Sequence, residues 1–587
     1  MATVKTPDFS LFDAQPWLDS YAVGVPHELP ENSFTSVHQM VSESTRKMAK
    51  WPAVSVCFQD GTVGMLTFAE LDSYADAFAN WLRYSIKLKK GDRVALQMPN
   101  CIAYPVVMLG VWKAGGVLVN VNPQYTSQEM NYQLQDSGAR VLVVADVLGH
   151  KVADALPGAS VEQVVMASVA DFLGRFTKIK MTSLMWAFGD LPGIDVPHVK
   201  LMEVLARGPK MSGGDKWVDE VGPDDLAVLQ YTGGTTGVSK GAMLSHSNLI
   251  ANMEQGKAMM LGASADGIAP HVFLTALPLY HAFAFGIMLA GVTMGAHNVL
   301  IPNPRPVSNL KAAFDAFDVN VFTAVNTLLV KLLEEDWFVM SPPENLSLTL
   351  AGGTALQDTV AQTWIRVIGA EPFQAYGLTE TSPGICMNPP GSVVKRGTVG
   401  VPMPSTRIRL VTEAGAAAGI NERGEVVVSG PQVMQGYWDN VESDAITDGW
   451  FRTGDIGTMD SDGYISIVDR IKDVIIVSGF NVYPNEVEDA IVKHADVLEC
   501  SVIGVPDEGT DEKVVAFVVP RTTALTGDSV LAFCRQHLTN YKMPVDIVFT
   551  NDLPYSMVGK VLRRTLRKRY KNQDYVRHSL NPPNRHG

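Results

Sequence analysis

Between residues 93 and 145 the chain repeats one pattern: a short run that is apolar almost throughout, then a longer run with helical spacing, then another apolar run. RVALQM (93 to 98), CIAYPVVMLGVWKAGG, VLVNV (117 to 121), SQEMNYQLQD ending at Gly138, and ARVLVVA (139 to 145) read as βαβαβ. Strands that are apolar on both faces belong in a parallel sheet covered by helices. The expected fold is therefore α/β, a large N-terminal domain with parallel sheets covered by helices. Beyond about residue 470 the runs shorten: IKDVIIV, PNEVEDAIVKH, ECSVIGV, KVVAFVV, a helix near 528 to 540, then DIVFT. These predict a separate small α+β C-terminal domain, with Pro484 opening a helix at its first position. The boundary expected is 470/471, giving a large domain of residues 1–470 and a small one of 471–587. RRTLRKRYK (563 to 571) and the residues after it read as a basic, frayed tail.

A formal charge of −14 lacks the basic footprint of a general nucleic-acid binder, and none is expected as a partner. Five scattered cysteines, Cys57, Cys101, Cys386, Cys500 and Cys534, have neither CxxC nor Cys/His ligand spacing, which fits a reducing, cytoplasmic compartment. The acidic N-terminus, with Asp8, Asp13 and Asp19, lacks the pattern of a secretory signal. From Val272 to Asn303 there is no charged residue, long enough to raise a membrane span. Pro278, His281, His297 and three glycines interrupt that stretch, so a buried core segment is expected. Residues 164 to 206 interleave Phe172, Leu173, Phe176, Ile179, Leu184, Trp186 and Phe188 with Arg175, Lys178 and Lys180. Basic amphipathic segments lie on membrane surfaces, so peripheral attachment at the inner face of the cell membrane is an expectation, beside the plainer one of a packed insertion.

LAVLQ (226 to 230) reads as a strand feeding YTGGTTGVSKGAM (231 to 243), where glycines and hydroxyls crowd toward Lys240. Glycines let backbone amides approach an anion, hydroxyls add donors, and Lys240 adds charge, so the loop reads as a phosphate cradle. A flexible Gly/Thr turn is the plainer reading. Lys240 follows Ser239 and precedes Gly241, so this is not a Walker A loop, and kinase-type or GTPase-type transfer is disfavoured. A helix capped by Ser245 is predicted to follow, which would put a helix N-terminus near the cradle.

Five further stretches follow in order: AGGTAL (351 to 356), QAYGLTETSP (374 to 383), GWFRTGDIG (449 to 457), DRIKDVIIVSGFNVYPNEVE (469 to 488) and PYSMVGKVLRR (554 to 564). With the loop, they resemble the adenylate-forming superfamily of acyl-CoA synthetases, luciferases and peptide-synthetase adenylation domains. The wording YTGGTTGVSKGAMLSH, VSGFNVYPNEVEDA and VGKVLRR is most similar to bacterial long-chain fatty-acid:CoA ligases. The resemblance implies ATP-dependent joining of a fatty acid to coenzyme A through an acyl-AMP intermediate, with Mg²⁺ as the metal. It implies ATP contacts from Tyr231, Thr232, Gly233, Gly234, Thr235, Thr236, Gly237 and Lys240. Tyr376 would offer adenine a flat face with Gly352 and Gly353 opposite, Gly377 and Thr379 would be further ATP contacts, and Asp455 and Arg470 would hold the ribose. Glu380, with Thr235, would hold the metal, and Lys560 is similar to the catalytic lysine of that family. Val558 departs from the pattern, since many relatives have Ser or Thr there.

The same resemblance sets Tyr280, His281, Phe283 and Phe285 beside an acyl pocket, with Gly286 and Gly291 leaving room for a tail. Plain core packing is the alternative for each. Lys472 matches the family's hinge position, and Gly479 the path of the CoA thiol, so the resemblance also implies that the small α+β C-terminal domain is mobile. Other readings stay open: an acyl-AMP ligase or luciferase-like enzyme with a different acceptor, a lipid- or nucleotide-binding protein on this scaffold, and a membrane carrier. A homodimer is compatible with the sequence, which does not set oligomeric state or acyl chain length.

Overall fold

The computed structural model describes residues 8–31, 33–187, 191–207, 221–232, 239–261, 271–439, 445–507, 509–556, 559–573 and 576–577. The chain divides into two compact units. The larger comprises Gln15–Arg407 and Val428–Phe451; the smaller gathers the described residues of Met1–Ala14, Ile408–Val427 and Arg452–Gly587.

The larger unit holds two sheets of the kind the alternation predicts. One has seven strands in the order His198–Lys200, Gln163–Ala167, Val141–Ala145, Arg93–Gln97, Val117–Asn120, Leu226–Thr232, Lys240–Ser245. Every neighbouring pair is parallel except the last. The other has nine strands: Val401–Pro402, Gly384–Met387, Pro372–Gly377, Leu348–Ala351, Val321–Ala324, Val272–Thr275, His297–Leu300, Pro52–Cys57, Val63–Thr67. It is parallel from Pro372–Gly377 through Pro52–Cys57 and antiparallel at both edges.

Local sequence explains the connecting helices. Ala103–Lys113 is apolar all round and buries every residue from Ala103 to Trp112, as a helix enclosed by its surroundings must. The Trp112 indole donates to the Ala227 carbonyl at 2.7 Å and so ties this helix to the strand entering the phosphate loop. Ser127–Ser137 starts in a capping box between Thr126 and Glu129 and stops at Gly138, whose φ of 59° is the left-handed ending glycine permits.

The uncharged stretch resolves into the strand Val272–Thr275, the helix Ala282–Thr293 and the parallel strand His297–Leu300. It carries no charge because it is a crossover buried in the nine-stranded sheet. Its helix would span only ~18 Å at 1.5 Å per residue, and among the described residues no helix is long and apolar enough to cross a membrane.

The aromatic and basic stretch contains the helix Arg175–Ala187, none of whose residues is fully buried. Met181 and Met185 pack against the main core, as does Phe172 just before the helix. Lys178 pairs with Asp171 at 2.6 Å. The opposite face is open: Phe176 is 87% and Trp186 75% exposed, with Ile179 and Leu184 exposed beside them.

In the smaller unit the predicted short elements appear in order. Val497–Asp507 and Asp511–Pro520 form an antiparallel hairpin, Asp546–Phe549 adds in parallel, and Ile475–Val477 pairs with Phe480–Val482. Pro484–Ile491 begins on Pro484 as expected. The expectation of a frayed tail over 563–571 is wrong. Arg563–Lys571 is a helix that docks through Leu566 and Tyr570, two apolar anchors four residues apart on an otherwise basic face.

Candidate active site

Leu226–Thr232 and Lys240–Ser245 pair antiparallel, with Thr232 opposite Lys240 and Tyr231 opposite Gly241. The phosphate loop therefore connects two strands of a hairpin. Gly233, Gly234, Thr235, Thr236 and Gly237 lie outside the described residues. The helix capped by Ser245 begins at His246, and the Ser245 hydroxyl accepts from the Asn248 amide at 3.2 Å. The cap is as predicted, but a six-residue strand separates the loop from that helix, so the helix N-terminus does not serve the cradle. Antiparallel pairing of LAVLQYT with KGAMLS was hidden because the second run lacks a clean apolar alternation.

The hairpin base is held from one side by the end of the Ser127–Ser137 helix. Tyr231 donates its hydroxyl to Asp136 at 2.5 Å, Trp438 donates its indole N–H to the Asp136 carbonyl at 3.0 Å, and Tyr132 donates to the Ser239 carbonyl at 3.2 Å. Burial first, and the Asp136 carboxylate second, hold the Tyr231 phenol far above its usual pKa, so it remains a donor. Ser239 donates its hydroxyl to the Thr232 carbonyl at 2.6 Å, closing the mouth of the hairpin. Lys240 is exposed, its Nζ 5.2 Å from the centroid of the Tyr437 ring.

Tyr376 and Gly377 end the strand Pro372–Gly377, and Thr379 and Glu380 form the short turn that follows. A Cβ on Gly377 would lie 1.8 Å from the Pro383 carbonyl oxygen, so only glycine fits there. Glu380 is 9% exposed, its Oε1 accepts from the Tyr437 hydroxyl at 2.7 Å, and its carbonyl accepts from the Met434 amide at 2.8 Å. Tyr437 was missed in the sequence. Its only signal was an aromatic pair, Tyr437 and Trp438, after a glycine in an otherwise polar loop.

His281 is the N-cap of Ala282–Thr293, its Nδ1 accepting from the Phe283 amide at 3.4 Å. Tyr280 is half-buried, and its carbonyl accepts from Gln230 of the strand feeding the loop. The Phe283 ring lies directly over Gly352: a Cβ there would meet Cζ at 3.0 Å. Gly352 thus lets an aromatic ring from the helix Ala282–Thr293 pack directly on the backbone that follows the strand Leu348–Ala351. Phe285 sits in the core, edge-on to Trp112 with centroids 6.1 Å apart. The room expected at Gly286 and Gly291 is already filled. A Cβ at Gly286 would lie 2.7 Å from Pro383, and one at Gly291 2.8 Å from Asn298. Close packing explains both glycines.

In the smaller unit Asp455 and Arg470 face each other across an antiparallel pair, and Arg470 Nε donates to Asp455 Oδ1 at 2.8 Å. Asp455 is buried, whereas Arg470 keeps much of its side chain in water. Lys472 is exposed in the turn Ile471–Asp473 that leaves this strand. Ser478 and Gly479 join the two strands of a tight hairpin with φ of 51° and 79°, as a two-residue turn of type I′ requires. Lys560 is exposed; its amide donates to the Ser556 hydroxyl at 3.1 Å and its carbonyl accepts from the Ser556 amide at 2.8 Å. Val558 lies outside the described residues.

The donor set in the larger unit suits a hard cation bound with a polyphosphate. Magnesium takes one or two carboxylates and completes its shell with phosphate and water. Glu380 supplies a shielded carboxylate already anchored at one oxygen, and Lys240 supplies an exposed positive charge on the same tyrosine.

The chain matches the family described as AMP-binding enzyme over residues 42–438, and the AMP-binding enzyme C-terminal domain over residues 486–560. It is 40% identical to the long-chain-fatty-acid–CoA ligase of Salmonella typhimurium, a similarity covering 94% of this chain and 97% of that one. Among solved structures, ATP-bound MatB from Rhodopseudomonas palustris is 29% identical with a TM-score of 0.77, covering 92% of this chain and 99% of that one. The fatty acyl CoA synthetase of Mycobacterium tuberculosis is 25% identical with a TM-score of 0.65, covering 92% and 99%.

Proposed function

Because this chain belongs to the AMP-binding enzyme family, we propose that it is an ATP-dependent ligase joining a medium- or long-chain fatty acid to coenzyme A. The carboxylate attacks the α-phosphorus of ATP, forming acyl-AMP and expelling pyrophosphate. The CoA thiol then displaces AMP to give the thioester. The observation that carries this reading is that the hairpin lysine, Lys240, and the buried carboxylate of Glu380 meet on one aromatic side chain, Tyr437.

Each group has a task set by charge. Two anions must be brought together, so positioning and cationic screening supply most of the catalysis. Lys240, Thr232 and the loop residues screen the phosphates. Magnesium, when bound, neutralises phosphate charge, and Glu380 with Thr235 would hold it. Tyr376 gives adenine a flat face near Gly352 and Gly353, with Gly377 and Thr379 shaping the turn. Asp455 accepts from the ribose hydroxyls while Arg470 holds it in place. Lys560 steadies the charge of the pentavalent transition state. Tyr280, His281 and Phe283 flank the acyl group, and Phe285 stiffens them from the core. Residues 471–587 serve the two half-reactions in different ways, with Lys472 as hinge and Gly479 on the path of the thiol.

The enzyme is assigned to the cytoplasm, with peripheral attachment at the inner face of the membrane through Arg175–Ala187. Support comes from an outward face of Phe176, Ile179, Leu184 and Trp186 flanked by Arg175 and Lys180, with no acidic residue from 172 to 187. Lysine and arginine beside exposed aromatics suit anionic headgroups.

Fatty-acid-dependent exchange of pyrophosphate into ATP tests the first step, and CoA-dependent AMP release tests the second. Exchange without any response to CoA would replace the ligase with an acyl-AMP-forming enzyme. No exchange with fatty acids of any length would overturn the proposal.

A further inference from the structure

Residues 434–438 run beside the hairpin that carries Lys240 and also reach the turn that carries Glu380. Trp438 donates its amide to the Gly241 carbonyl at 2.8 Å, Gln435 donates to the Met243 carbonyl at 2.9 Å, and Met243 donates back to the Gly436 carbonyl at 2.9 Å. Ala242 and Tyr437 form an antiparallel bridge. At its near end the same segment donates the Met434 amide to the Glu380 carbonyl at 2.8 Å. The strap is therefore stitched by backbone to both functional turns.

The Tyr437 side chain repeats that link. Its hydroxyl donates to Glu380 Oε1 at 2.7 Å, a short, charge-assisted bond to a carboxylate largely removed from water. Its ring face lies under the Lys240 ammonium, 5.2 Å from centroid to Nζ, within the range where the ring quadrupole attracts a cation. One residue thus sets the orientation of the carboxylate and the resting place of the lysine.

We infer that Tyr437 is a positioning residue for the divalent cation and the nucleotide phosphates: it fixes which edge of Glu380 faces the cation, and it holds Lys240 from that carboxylate's reach until a phosphate takes its charge. Without the ring, Lys240 and Glu380 would be free to pair directly, and each would be lost to its ligand. The inference rests on the ligase reading for the identity of the ligand. Groups that orient a metal-binding side chain change metal affinity by about 10- to 100-fold when removed.

The test uses the full-length protein, a non-hydrolysable ATP analogue and Mn²⁺ as a paramagnetic probe, with bound Mn²⁺ read by electron paramagnetic resonance. Tyr437→Phe is expected to weaken Mn²⁺ binding about tenfold with little change in nucleotide affinity, because the ring stays under Lys240. Tyr437→Leu is expected to weaken both. In a Glu380→Gln background, Tyr437→Phe should cost nothing further, since the hydroxyl acts through that carboxylate. Thermal unfolding of each variant separates positioning from lost folding: the Phe variant should still unfold in one cooperative step, only a few degrees below the wild type, because it loses one buried hydrogen bond. Wild-type Mn²⁺ binding in Tyr437→Phe, or an equal further loss in the Glu380→Gln background, would overturn the inference. If the wild-type chain binds Mn²⁺ and nucleotide through Tyr437 but performs no fatty-acid-dependent exchange, the ligase reading fails and the positioning role stands.

Discussion

Arg563, three residues past Lys560, carries its Nη1 to 3.7 Å from Oδ1 of Asp469, a carboxylate whose side chain is 1% exposed. The same guanidinium reaches Asp473 at 3.3 Å and Glu488 at 2.8 Å, and Arg567 adds a second contact to Asp473 at 3.1 Å. The segment bearing Lys560 is thereby fastened to the strand end just before Lys472. Three carboxylates around a single half-buried arginine leave an excess of negative charge, and Asp469 is the most buried of them.

A pH dependence follows. Burial pushes the Asp469 pKa up to about 6, with Arg563 pulling it partly back. Folding raises this pKa above its unfolded value near 3.9, so the folded state holds the proton more tightly between the two values. The group's contribution is present at pH 4 and is lost as pH rises through about 6, to the extent of about 3 kcal/mol. Asp469→Asn keeps one acceptor for the Asn485 amide and cannot ionise. Its unfolding midpoint relative to wild type should climb from pH 4 to 6.5 and then level off. A difference that is flat across this range would exclude an elevated Asp469 pKa.

Lys560→Ala should slow adenylate formation by about 10²- to 10³-fold, the usual cost of deleting one transition-state charge partner. Thioester formation from supplied acyl-AMP should stay within a few-fold of wild type. The exposed side chain and the retained Ser556 turn make misfolding an unsuitable explanation for such a split. Rapid-quench measurement of acyl-AMP checks it, and a wild-type rate would remove Lys560 from the chemistry.

Gly479 has two reasons to be glycine, and a pair of variants separates them. Its positive φ belongs to the hairpin turn, and a Cβ there meets nothing within 4 Å. Asparagine tolerates this backbone, whereas leucine strains it by roughly 1 to 2 kcal/mol. If the residue lines the thiol's path, Gly479→Asn should fold normally, keep pyrophosphate exchange and slow acyl-CoA formation. If the turn alone matters, Gly479→Asn should be fully active and only Gly479→Leu should lose stability.

Phe176→Ser with Trp186→Ser should reduce co-sedimentation with anionic vesicles several-fold while leaving activity on detergent-dispersed fatty acid intact. Phe172 is not part of this test, because it packs edge-on against Tyr74 at 5.3 Å. Lys180→Glu should weaken binding to anionic vesicles and leave the residual binding to neutral ones unchanged. Equal sedimentation of all variants would return the helix Arg175–Ala187 to ordinary surface.

What was legible in the chain was whatever is written in local spacing or in whole motifs. The family resemblance of their motifs, not spacing, singled out Glu380, Asp455, Arg470 and Lys560; apolar runs separated by helical runs marked the parallel sheets, and Gly138, Ser245 and Pro484 marked helix ends. These depend on backbone dihedrals and near-neighbour contacts, which a linear sequence records directly. Tertiary structure alone decided the partners. Tyr437 lies 57 residues from Glu380, Asp136 95 residues from Tyr231, and Arg563 75 residues from Glu488; no periodicity links such positions. The glycines at 286 and 291 were misread for the same reason: a missing side chain signals that something comes close, and only the folded neighbours, Pro383 and Asn298, reveal whether that is a ligand or the protein itself.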